Sequence, residues 1–130
     1  MAKRTRKEIP LQYVIAVYAD LLDEIWQRVA DLIGGITLQV LMNTAVRRVS
    51  AAYPFITAIT VTVDGVSLDK LEEIGRDQPS HQVKEALQNL ITELFSILAA
   101  MSGDVIIREL APKVREAETR LCQITENGEQ

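Results

Sequence analysis

The chain has little of what most chemistry needs. It holds one histidine, His81, and one cysteine, Cys122. A lone cysteine closes no internal disulfide, and zinc ligation wants a Cys pair or a His pair that is not there. A nucleophilic Ser, Cys or Thr needs a base beside it. With no second histidine to share the work, His81 reads as a loop or helix-entry residue, and Cys122 as a small buried or half-buried side chain. Glycine is scarce, six residues in 130, and Gly34-Gly35 lacks the further glycine and the lysine of a phosphate-binding loop. Aromatics make up only 5%, so the core must be aliphatic and no base-stacking face is expected. Long uncharged apolar runs are missing as well. Asp20, Asp23 and Glu24 interrupt the first apolar stretch, and the run around Ile97 to Met101 stops at Gly103, so no membrane span is predicted. Nothing after Met1 resembles a secretion signal, and a cytoplasmic location is the expectation.

Positive charge is not in excess either. The net charge is −4, which disfavours nucleic acid, since binding to phosphate backbones rests on Lys and Arg. Lys3, Arg4, Arg6 and Lys7 crowd the start, while Glu126 and Glu129 lie in the tail. Residues 1–8 are read as a basic flexible arm and residues 125–130 as a tail.

What remains is the composition of an ordinary folded domain: 130 residues, 48% hydrophobic, 25% charged, enough to bury a core without staples. One domain is expected, and it repeats itself. Leu21, Glu24, Ile25, Trp26, Val29, Ala30 and Gly34 align without a gap on Leu90, Glu93, Leu94, Phe95, Leu98, Ala99 and Gly103. Beyond the glycine, Ile36, Leu38 and Leu41 fall on Val105, Ile107 and Leu110. The fold class predicted is therefore mainly α: a pseudo-symmetric helical bundle of two helix-Gly-helix repeats, with a short β-hairpin inserted between them.

The first repeat, 9–53, opens with Pro10 as a first-turn residue and a helix to about Ile33. Its Leu11, Ile15, Tyr18, Leu22, Ile25, Val29 and Leu32 step by fours and threes, the seam of a helix packed lengthwise on others. Gly34-Gly35 is read as a corner, with a kinked continuous helix as the alternative, and Thr37 to about Ala52 as the second helix, ended by Pro54. Residues 55–68 are assigned to the hairpin. Thr57 to Val63 alternates like a strand, Asp64-Gly65 suits a two-residue turn, and Val66-Ser67-Leu68 returns. Asp69 with Glu72 suggests a capped helical turn, and 75–81 a polar connector. The second repeat, 82–124, carries Val83, Leu87, Leu90, Leu94, Ile97 and Met101 in the same rhythm, then Ile107, Leu110, Val114, Ala117, Leu121 and Ile124. Pro112 should kink the last helix or mark a start near it.

Three arrangements invite a functional reading. Glu24 and Glu93, equivalent in the repeat, could meet across a pseudo-twofold as a carboxylate pair. Bundled metal centres also place a histidine three residues after a glutamate, where this chain has Gln27 and Ser96, so no metal and no cofactor is expected. Arg47 and Arg48, with Arg108 and Lys113, could make a small basic patch, although cations near helix C-termini need no function to explain them. The helices after the glycines, with Thr37, Gln39, Asn43 and Arg47 in one copy, are too apolar to read a DNA groove. The expectation is a non-enzymatic regulatory or protein–protein interaction module that oligomerises through broad apolar helix faces. A homodimer is favoured and a protein partner possible. The alternative is a small-molecule sensor holding an apolar ligand between the helical units. Trp26, Phe95, Met42 and Met101 are the candidate interaction or ligand residues under both readings.

Overall fold

A computed structural model of the chain describes residues 10–102 and 105–128, without the side chains of 102, 105, 106 and 123–128. The basic arm, Gly103 and the last two residues lie outside the described part. The described chain is mainly helical: α1 (Leu11–Ile33), α2 (Gly35–Val49), a 3₁₀ turn (Pro54–Ala58), β1 (Thr60–Thr62), β2 (Gly65–Ser67), α3 (Asp69–Gly75), α4 (Ser80–Ser102) and α5 (Val105–Gly128).

Pro10 stands just outside α1, in extended conformation, and its carbonyl accepts from the N–H groups of Tyr13 and Val14 at 3.0 and 3.3 Å. Most of the apolar stepping of α1 disappears from solvent: Ile15, Tyr18, Leu22, Ile25 and Val29 are buried and Leu11 is partly so. Leu32, at the end of the expected seam, is 62% exposed because the helix stops at Gly34 with that turn outside the core. α1 then ends, because Gly34 takes φ +90° and ψ 151°. That conformation is one glycine adopts readily and other residues do not. The break is a corner of one residue. Gly34 N–H still closes on Ala30 at 2.8 Å, and its own carbonyl receives Leu38 N–H at 3.1 Å as α2 begins.

Helix directions follow from the contacts between elements. Leu11 and Val83 both sit against Gly75, so α1 and α4 start at the same end. The Tyr53 hydroxyl donates to Glu85, and Arg48 donates to Glu93, so α2 runs antiparallel to α4 and finishes where α4 starts. Glu24 pairs with Lys113 and Asp20 with Arg120, which makes α5 antiparallel to α1. The result is an up-down-up-down bundle with α1 against α2 and α5, and α4 against the same two. Met42, Ala45 and Val49 of α2, Leu87, Leu90, Leu94 and Leu98 of α4, and Leu110, Ala117 and Leu121 of α5 fill its interior.

The connection from α2 to α4 holds the hairpin. β1 and β2 pair antiparallel, Thr60 with Ser67 and Thr62 with Gly65. The ribbon lies on the helices, which is how so short a pair is stabilised. Gln39 Nε2 donates to Val61 O at 3.3 Å and the Trp26 indole N–H to Val63 O at 3.2 Å.

Several expected boundaries move. The strand assigned to Thr57–Val63 shrinks to Thr60–Thr62, because Pro54 nucleates a 3₁₀ turn that buries Ile56 and the Thr57 hydroxyl closes back on Pro54 O at 3.0 Å. The second helix begins at Gly35 and ends at Val49, three residues short of Ala52. The connector is only 76–79: Gly75 completes α3, and Ser80, itself buried, opens α4. No Asp69–Glu72 capping box forms. Leu68 holds the cap position with no side-chain bond, and the two acids occupy the first turn, where the helix dipole favours them. α5 continues through Pro112 and on to Gly128, so residues 125–128 are helix where a tail was expected. Among the described residues no helix is long and apolar enough to cross a membrane.

Candidate interaction surface

The four expected site residues differ in exposure. Trp26 is 3% exposed and Met42 1%. Trp26 packs into the core on α1 and spends its one hydrogen-bond donor on the hairpin. Phe95 is half-buried, packed against the core from α4. Only Met101, 55% exposed near the end of α4, is free to meet a partner or ligand. Among the described aromatics the ring contact is a different one, Tyr53 edge-on to Phe55 with centroids 6.0 Å apart.

The glutamates stay apart electrostatically. Glu24 is held by Lys113 of α5 at 3.3 Å and by Arg28 one turn along at 3.7 Å, while Glu93 is held by Arg48 of α2 at 3.3 Å. Of the four cations weighed as a basic patch, Arg48 and Lys113 each answer an acid on another helix. All these groups are partly solvated, so each pair contributes little stability. Among the described residues no three His, Cys, Asp or Glu side chains stand where they could share a metal ion. Cys122 is exposed, contrary to the buried or half-buried position expected. It follows Leu121, which takes the inward position of that turn.

Three open grooves are described, two of them mainly polar and one mixed. One runs along α1 and reaches Arg120 of α5, lined by Asp20, Asp23, Glu24, Gln27, Arg28 and Asp31. Another lies at the opposite end beside Tyr53 and Phe55, with Gln78, Gln82 and Glu85. Partial burial, and after it the Glu85 carboxylate, raise the Tyr53 pKa. The third skirts the hairpin between Asp23 and Asp64. None is lined by Trp26, Phe95, Met42 or Met101.

Among the described residues one buried side-chain polar atom lacks a hydrogen-bond partner. The Tyr18 hydroxyl makes no hydrogen bond, and the residue is 1% exposed. Burial, helped by the Glu118 carboxylate, pushes its pKa up to about 12, and the nearby Gln88 amide offsets this only in part.

The apolar side chains left in solvent are more telling. Leu32, Ile36, Val40, Val63 and Met101 are large, apolar and exposed. Ile36 and Val40 lie one turn apart on α2 and share a face. The register set by Arg48–Glu93 carries this part of α2 toward the Met101 end of α4. Val63 flanks Gly35 on the other side. Of these only Met101 was a candidate site residue, Leu32 being read into the α1 seam and Ile36 into the repeat, but a signal was present. No Asp, Glu, Lys or Arg occurs between Asp31 and Arg47, between Arg48 and Asp64, or between Glu93 and Asp104.

Comparison with known proteins identifies no family: no family model fits the chain, and neither a curated protein nor a solved structure matches it significantly.

Proposed function

We propose that the chain is a non-enzymatic regulatory or protein–protein interaction module that oligomerises through apolar helix faces. The observation that carries this reading is the exposed apolar group at the start of α2, Ile36 at 73% and Val40 at 58% exposure, with exposed Val63 against the same end of the helix. Contiguous apolar surface of this kind marks interaction sites, whereas scattered exposed residues such as Tyr13 and Ile74 need no explanation.

The module reads as a duplicated helix-Gly-helix unit closed about a pseudo-twofold axis. Buried Val14, Val17, Tyr18, Leu21, Leu22, Ile25 and Val29 of α1 correspond in spacing to buried Val83, Ala86, Leu87, Leu90, Ile91, Leu94 and Leu98 of α4. Glu24 reaching α5 and Glu93 reaching α2 are the reciprocal pairs such an axis produces.

The sensor alternative has one feature in its favour, the unpartnered hydroxyl of buried Tyr18, which a ligand could satisfy. A native mass spectrum under gentle ionisation separates the two readings. An even-numbered oligomer without added mass is the expected result. A retained small molecule would put the sensor first, and a bare monomer at every concentration would overturn the module.

A further inference from the structure

The groove where α2 finishes and α4 starts combines features that the other two lack. About 400 Å³ of space there is lined by Tyr53, Pro54 and Phe55 after α2, by Gln78 of the connector and by Gln82 and Glu85 of α4. Tyr53 and Phe55 are each half-buried and packed on the core. Their rings are inclined at 69° with centroids 6.0 Å apart, so neither covers the other as a stacked pair would. A point about 5 Å from both centroids exists beside such a pair, inside the ~6 Å over which a cation is drawn to a ring face. The charge beside them is negative. Glu85 is the only charged residue among the described residues lining the groove. Its Oε1 accepts the Tyr53 hydroxyl at 3.2 Å, which ties the carboxylate to one of the two rings.

From this arrangement we propose that the groove binds a methylated ammonium group, seated on the Tyr53 and Phe55 rings with Glu85 as its counter-charge. The inference is independent of the interaction-module reading, whose exposed Ile36 and Val40 lie toward the opposite end of α2. Charge and hydration select the ligand. An anion would meet the Glu85 carboxylate with no cation in the lining to hold it. An uncharged apolar group would take water from that carboxylate and give nothing back. A primary ammonium is strongly hydrated, whereas a methylated one has less hydration to lose on a ring face. The other grooves offer no such seat: no aromatic residue lines either of them, and along α1 Glu24 and Asp20 already pair with Lys113, Arg28 and Arg120. A methylated ammonium occurs on a free small molecule such as choline or on a lysine side chain of another protein, and both present the same group.

Titration of the full chain, followed by its amide NMR shifts, tests this with three probes. They are choline, its uncharged isostere with carbon in place of nitrogen, and a short peptide carrying trimethyllysine. Choline should saturate at millimolar concentration with shifts around Tyr53 and Glu85, and the isostere should bind roughly ten-fold more weakly or not at all. Glu85→Gln, a near-isosteric change at an exposed position, should weaken choline roughly two- to five-fold. Tyr53→Leu should weaken it by a similar factor, and Tyr53→Phe, which keeps the ring, should retain most of the binding. Asp31→Asn, in the groove along α1, should change nothing. Circular dichroism verifies that each variant is folded, and Glu85→Gln carries the test if Tyr53→Leu is not. A peptide bound roughly ten-fold more tightly than choline places the group on a partner protein, and choline bound as well or better places it on a free molecule. An isostere that binds as well as choline overturns the cation. A folded Glu85→Gln with wild-type affinity overturns this site. No shift with either charged probe up to about 50 mM overturns the proposal as a whole.

Discussion

Gly35 is the position at which a single methyl group tests how the hairpin is held. A Cβ built there would stand 2.5 Å from the carbonyl oxygen of Val63, a backbone atom with no rotamer to escape into. The same oxygen accepts the Trp26 indole N–H. Gly35→Ala must therefore either compress the contact or push the hairpin tip off the helices. Compression of a packed site costs about 1–3 kcal/mol. Displacement leaves the N–H of a buried tryptophan without its acceptor, again about 1–3 kcal/mol. Alanine returns less than about 1 kcal/mol in helix propensity, so the expected net loss is up to about 2 kcal/mol. Trp26 is the only tryptophan, and urea unfolding followed by its fluorescence reads both the stability and the environment of this contact. Gly34→Ala is the contrast. It meets no atom within 4 Å but sits at φ +90°, so it should lose stability through strain alone and keep the native emission. In a double-mutant cycle Gly35→Ala and Trp26→Phe should be strongly non-additive, because they act on one oxygen. A Gly35→Ala protein with wild-type stability and wild-type emission would refute the reasoning.

The remaining predictions concern the interior and the ion pairs. Tyr18 has a folded pKa of about 12 against 10.0 for the free side chain, so its neutral form is favoured on folding. That contribution is complete below pH 10 and lost as pH rises to 12, worth up to about 2–3 kcal/mol. Tyr18→Phe should flatten the fall of unfolding free energy between pH 10 and 12 relative to wild type, and an unchanged slope would contradict the buried phenol. Pro112 lies inside α5 with its side chain exposed, where proline costs a helix about 3 kcal/mol against alanine. Pro112→Ala should raise the melting temperature, and a lower one would mean that the ring is needed where it is. Glu24→Gln and Glu93→Gln should each cost under about 1 kcal/mol in chemical denaturation. Elemental analysis of the purified protein should give the same metal content for wild type and the double variant, and a loss would revive the carboxylate reading.

The long helices were legible because their signal is long. Each turn of α1 and α4 repeats the same burial demand, so one irregular residue does not hide the period. Short elements carry no such redundancy. Thr57 and Ala58 alternate like a strand, but Pro54, Thr57 and buried Ile56 favour a 3₁₀ turn. Asp69 and Glu72 have the spacing of a capping box while the helix begins one residue too early for it. The burial of two candidate site residues was not foreseen. Trp26 and Met42 were chosen as large side chains beside the seam, and large side chains beside a seam are the ones a core consumes.

By itself the sequence determines the helical class, the hairpin turn at Asp64-Gly65 and the lack of histidine and cysteine pairs, because each depends on local sterics or composition, whereas the choice between corner and kink at Gly34-Gly35 was made by the structure. Which apolar residues are left over was decided only by the tertiary structure. Ile36 and Val40 look no different in sequence from buried Leu38 and Met42. It takes the hairpin, α1 and α4 closing around α2 to settle that Leu38 and Met42 are covered while the outer face of α2 remains in water.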